Sequence, residues 1–133
     1  MQCSASFRIF SETALASAVG ERLGIQATSV VERGQPLRPA TTRKAVTSAW
    51  QLSTLQREGE LAEHLHELLR QIEPLRDRLL SLIPDGYVMD WWCSVESLDT
   101  ERAIELEPSL LARLAAFPAP LLIDAWTVFP DDG

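Results

Sequence analysis

Two short stretches of the chain carry the residue types from which a site is built. Asp90-Trp91-Trp92 and Asp124-Ala125-Trp126 each set an aspartate and a tryptophan two positions apart. In an extended strand such positions project from the same face, so each carboxylate stands beside an indole. If the two strands are neighbours of matching orientation, Asp90, Trp92, Asp124 and Trp126 share one surface. Trp50 joins them only if its strand turns the same way, and its companions Val46 and Leu52 point instead to a helix-covered face. A carboxylate pair between aromatic walls does general acid–base work when the two pKa values are pushed apart. The same groups make a platform for a cationic or sugar-like ligand. They also suit the centre of a protein interface, with a partner or with a second copy, where tryptophan is enriched.

Other chemistries find no footing in the residue pattern. The glycines are scattered and form neither a GxGxxG nor a Walker phosphate loop, and there is no Gly-x-Ser-x-Gly elbow. His64 and His66 are the only histidines. On a helix they lie about 200° apart, so they do not share a metal, and both read as surface residues. Cys3 and Cys93 make no metal or redox motif and read as structural thiols. The expectation is a chain with no metal, no cofactor and no catalytic residue of a known motif, at home in a reducing cytoplasm.

The charge balance narrows the partners. A net charge of −7 argues against a dedicated nucleic-acid binder, which needs a basic face. The charge is uneven. Arg33, Arg38, Arg43 and Lys44 give residues 33–44 a charge of +4 with no acidic residue. Residues 85–133 carry ten acidic and two basic side chains, a balance of −8. Such asymmetry serves solubility, or it steers a charged partner. A protein partner with a basic surface is the sharper expectation.

The elements that must position these residues follow from periodicity. Ser6 to Phe10 alternates, with Phe7 and Ile9 on one side and Arg8 on the other, and predicts a strand. Ser11 suits an N-cap for a helix over Glu12 to Leu23, closed by Gly24. Ser29 to Arg33 and Ala45 to Ser53 read as strands around a loop holding Gly34, Pro36 and Pro39. From Glu60 onward, Leu61, Leu65, Leu68, Leu69, Ile72, Leu75, Leu79 and Leu82 mark a helix that Pro74 either kinks or splits. Pro84-Asp85-Gly86 turns into a strand over Tyr87 to Glu96. A helix over Pro108 to Phe117 and a strand over Leu121 to Phe129 complete the chain.

The 133 residues match one ordinary domain, residues 1–133, with 46% hydrophobic and 23% charged side chains in the globular range. No apolar run approaches the roughly 20 residues of a membrane span, and no secretory signal or lipoprotein acceptor is read at the N-terminus. The order β-α-β-β-α-β-α-β predicts an α+β fold: a mostly antiparallel sheet with helices packed on one face. Its first six elements match the ferredoxin-like, split βαβ pattern, with an added helix and strand.

The chain resembles the bacterial domain-of-unknown-function family 4279 over nearly its whole length. The likeness rests on the opening strand and helix ending in Leu23-Gly24, the Glu32-Arg33-Gly34 turn and the strand Trp50-Gln51-Leu52-Ser53. It continues through Glu63-His64-Leu65, Leu68-Leu69, Glu73-Pro74 and the run Pro108-Ser109-Leu110-Leu111-Ala112-Arg113-Leu114. The resemblance implies an α+β bacterial protein of unassigned function and supplies no catalytic motif. Small proteins of this kind can act as toxin-neutralising immunity proteins. The leading expectation is a non-catalytic interaction module, immunity-like or regulatory. The alternatives are a small enzyme or ligand-binding protein using Asp90 and Asp124, and a homodimer closed over its exposed sheet face.

Overall fold

The computed structural model describes residues 2–36, 44–97 and 103–128. In chain order these form β1 (Gln2–Ser11), α1 (Ser17–Leu23), β2 (Ser29–Val31), β3 (Ser48–Ser53), α2 (Leu61–Ile72), α3 (Arg76–Leu80), β4 (Val88–Ser97), α4 (Pro108–Ala115) and β5 (Leu121–Thr127). The five strands make one sheet in the order β2-β3-β1-β4-β5. β1 lies at its centre and runs antiparallel to both β3 and β4, and β2 is antiparallel to β3. This is the ferredoxin-like arrangement expected from the element order. β5 is the addition: it returns through α4 to lie parallel to β4 at the sheet edge.

Alternation within the strands divides the sheet into two faces. Phe7 and Ile9 of β1, Trp50 and Leu52 of β3, and Met89, Trp91, Cys93 and Val95 of β4 all point into the core. Across from them α2 inserts Leu61, Leu65, Leu68, Leu69 and Ile72, the stripe that helical spacing predicts. Val19 and Leu23 of α1 and Leu110 and Leu114 of α4 close the layer. At its centre Trp91 meets Phe7 at 4.8 Å and Phe117 at 6.0 Å between ring centroids, both edge-on. Edge-to-face pairs align a ring's positive rim with its neighbour's negative face and add about 1 kcal/mol to the burial itself.

Three local details differ from the sequence reading, and the choice left open at Pro74 is decided. Helix α1 begins at Ser17, not Glu12, because the preceding backbone is claimed from elsewhere. Ser11 Oγ accepts from the Thr13 and Ala14 amides, and the Leu15 carbonyl accepts from the Tyr87 hydroxyl at 2.7 Å. Glu32 Oε1 then accepts from the Ser17 amide at 2.8 Å. Leu15 is accordingly 61% exposed instead of lining the helix stripe. Val46 precedes β3, which starts at Ser48, and stands 81% exposed. Pro74 splits the long helix: α2 stops at Ile72, a 3-10 turn spans Glu73–Leu75, and α3 restarts at Arg76. His64, read as a surface residue, is 5% exposed.

Candidate functional site

The helices cover one face of the sheet and leave the other open. On β1 the open face carries Gln2, Ser4, Ser6, Arg8 and Phe10, and on β4 Val88, Asp90, Trp92, Ser94 and Glu96. The parallel pairing of β5 sets Leu122 beside Trp92, Asp124 beside Ser94 and Trp126 beside Glu96. Asp90, Trp92, Asp124 and Trp126 therefore stand on one face. Trp50 does not join them: it pairs with Ile9 on the covered side and is 1% exposed.

The register also brings in two residues that the sequence reading left out of the site, Arg8 and Phe10. Arg8 lies directly opposite Asp90. Its Nε donates to Asp90 Oδ1 at 2.8 Å and its Nη2 to Oδ2 at 2.7 Å, a two-pronged ion pair. The guanidinium also lies over the Trp92 ring at 4.5 Å and the Phe10 ring at 4.8 Å. A planar cation held in plane by a carboxylate and stacked on aromatic faces has little freedom left. Both side chains are mostly shielded from water, at 23% and 14% exposure, so the pair is stronger than a surface ion pair. Next to it, Gln51 Nε2 donates to Ser6 Oγ at 3.1 Å and Ser53 Oγ at 3.0 Å. The middle of the open face is thus a rigid, hydrogen-bonded pavement.

The β4–β5 side is different in kind. Leu122 and Trp126 are 39% and 43% exposed, and Asp124 is exposed beside them. Neither Asp124 nor Glu96 has an ion-pair partner among the described residues. Asp90 and Asp124 do not face each other. One is locked to Arg8, and the other stands opposite Ser94, four residues further along β4, roughly 13 Å at strand spacing. That arrangement supplies a cation-attracting rim with apolar contacts, and no facing acid–base couple.

The remaining sequence candidates lie elsewhere. Arg33 follows β2, and its Nη1 donates to the Glu12 carbonyl at 2.7 Å. Lys44 is exposed where it bridges Pro36, and Arg38 and Arg43 lie outside the described residues. This basic segment leaves the sheet near the Ser11–Ser48 pair, whereas Glu96 pairs with Gln2 at the opposite end.

His64 lines a cleft of about 530 Å³ between α2 and the segment after β3, with Glu63, Glu67 and Thr54 among its walls. Its ring is fully engaged: Nε2 donates to the Glu58 carbonyl at 2.7 Å, and Nδ1 bonds Thr54 Oγ1 at 2.8 Å. It pins that segment to α2. Its place was readable, since residue 64 falls within the stripe 61, 65, 68, 72. His66 is exposed, and its Nδ1 accepts from Arg113 Nη1 at 2.9 Å. Arg113 also grips both oxygens of Glu73, joining α4 to the end of α2. That hydrogen bond holds the Glu73 carboxyl below its ordinary range. Cys3 and Cys93 are both buried, and burial, with Cys3 nearby, pushes the Cys93 thiol up to about 12. A thiol so protonated is no nucleophile at neutral pH.

Fold and face together define an α+β protein with a ferredoxin-like core and one open sheet face of aromatic and charged residues. The chain belongs to the family described as Domain of unknown function (DUF4279), whose model matches residues 1–128. No curated protein and no solved structure matches the chain. Among the described residues, no helix is long and apolar enough to cross a membrane.

Proposed function

We propose that the chain acts by binding, as an immunity-like or regulatory protein that engages a basic protein partner through the open face of its sheet. The observation that carries this reading is the composition of the β4–β5 half of that face. Trp92, Leu122 and Trp126 offer apolar area, and Asp124 and Glu96 offer carboxylates with no ion-pair partner among the described residues. A partner surface bearing Arg or Lys finds there both a counter-charge and ring faces. The Arg8–Asp90 pair keeps the adjoining pavement fixed, so little ordering is lost on association. Net charge of −7 adds long-range attraction that salt screens.

The test is affinity capture from the source organism's own lysate at low and high salt, run in parallel with variants. The expected result is one stoichiometric basic protein, released as salt rises, lost with Trp92→Ala and reduced with Asp124→Asn. Arg70→Ala, on the exposed side of α2, should leave capture unchanged. Capture indifferent to the open-face variants, or recovery of the chain alone as a salt-resistant dimer, would overturn the proposal.

A further inference from the structure

β5 is an unusual edge. Every other long strand of the sheet alternates buried and open side chains, but β5 is exposed on both faces, with Leu122 and Trp126 on the open side and Ile123, 44% exposed, on the helix side. Two hydrogen bonds set the phase of its backbone. The Trp91 amide donates to the Pro120 carbonyl, and the Val128 amide donates to the Ser97 carbonyl, each at 2.8 Å. In a strand a residue's N–H and C=O point the same way and successive residues alternate, so even-numbered residues of β5 face β4. The N–H and C=O groups of Ile123, Ala125 and Thr127 therefore point away from the sheet. Among the described residues no strand pairs with them.

Natural sheets blunt such edges with shortness, proline, lysine or bulges. The opposite edge does so by shortness: β2 has three residues. β5 has seven residues, Leu-Leu-Ile-Asp-Ala-Trp-Thr, with no proline and no cation. Its one charge is Asp124, with Glu96 of β4 next to it on the same face. An incoming strand meets apolar contact on the helix side and carboxylates with an indole on the open side. A second copy brings the same carboxylates and two segments of charge −8 together, which disfavours it.

We propose that β5 takes up an extended segment of the basic partner as a sixth strand, with apolar side chains over Ile123 and cationic side chains over Asp124 and Trp126. This rests on the basic-partner reading above and adds how that partner is held. Main-chain hydrogen bonds supply affinity, and the alternating side chains supply selection.

The probe is a capped peptide of alternating Val and Lys matched in length to β5, with two relatives N-methylated on the Val amides or on the Lys amides. Only one edge of the peptide can pair with β5. One N-methylated form should therefore bind at least about tenfold more weakly than the parent, and the other should bind like it. Amide exchange at Ile123, Ala125 and Thr127 should slow at least about tenfold with parent peptide, because those groups leave water for a ladder. Equal binding of all three peptides, with no added protection, would overturn strand addition and leave the basic-partner reading standing. No peptide binding, while lysate capture still depends on Trp92 and Asp124, would do the same. Protection of the same amides in a dimer of the chain alone would make the occupant a second copy and overturn the proposal. Loss of both the peptide effect and the open-face dependence of capture would remove both readings.

Discussion

Trp91 and Trp92 are adjacent in the chain and belong to different worlds. Trp91 is 0% exposed, packed edge-on between Phe7 and Phe117 beneath the helix layer. Trp92 is half-buried on the other side of the same strand, with a guanidinium on its ring. One residue of offset in a strand moves a side chain through the sheet, so identical chemistry serves cohesion on one face and display on the other. The covered face is apolar and close-packed, and burial there holds the Cys93 thiol protonated. The open face is held together by directional contacts, Arg8 to Asp90 and Gln51 to two serines, and its outer strand is left uncovered.

The comparison predicts unequal consequences for like substitutions. Trp91→Ala should lose about 3–5 kcal/mol in urea unfolding, since the core cannot refill that volume. Trp92→Ala should cost about 1 kcal/mol or less, yet weaken partner capture at least about tenfold. Equal losses of stability would mean that the open face is a second core, and the contrast would fail. Asp90→Ala, which strands Arg8 in a shielded position, should cost about 2 kcal/mol. A double-mutant cycle with Arg8→Ala should recover part of that cost, and strictly additive losses would show the pair to be uncoupled.

Titration sharpens the same contrast. The Cys93 thiol is held at about 12, against an ordinary value near 9.0. Above pH 9 the unfolded thiol ionises and the folded one does not, so stability falls with rising pH, by about 1.4 kcal/mol at pH 10. Cys93→Ala should show a shallower alkaline decline in unfolding measurements, and an unchanged slope would contradict the burial. At the acid end the sign reverses. Glu73 is held below its ordinary 4.5 by Arg113, so that contribution is present above about pH 4.5 and lost as pH falls through the folded value. With both side chains 37% exposed it is small, removed by Arg113→Ala at pH 7 and absent in acid. Asp124→Asn is the smallest, within about 0.5 kcal/mol of stability, with its effect confined to association.

Much of the fold was legible because it is local. The leucine stripe of α2 and the alternation of β4 fix which side chains go inward, and the element order fixes the split βαβ core. The shared surface of Asp90, Trp92, Asp124 and Trp126 followed from strand parity once β4 and β5 were neighbours. What was not legible depends on register between distant segments. Arg8 reaches Asp90 across 82 positions, and nothing in either stretch names the other. The late start of α1 depends on Tyr87 and Glu32 taking backbone groups that a helix would otherwise use. Periodicity predicts a strand over Leu121 to Phe129, and only the sheet order reveals it as an exposed edge. The Glu73-Pro74 and Arg113 marks of the family resemblance lie 40 residues apart and meet in one ion pair, which the sequence held as two unconnected fragments.

On the proposed reading the open face, and not the helix layer, is where this chain meets another protein. A photo-crosslinking benzoylphenylalanine at Leu122, compared with the same residue at Gln71 on the exposed side of α2, tests it in the source cells. A crosslinked basic protein is expected from position 122, diminishing as salt is raised in permeabilised cells, and none from position 71. Adducts from position 71 with none from 122 would contradict it.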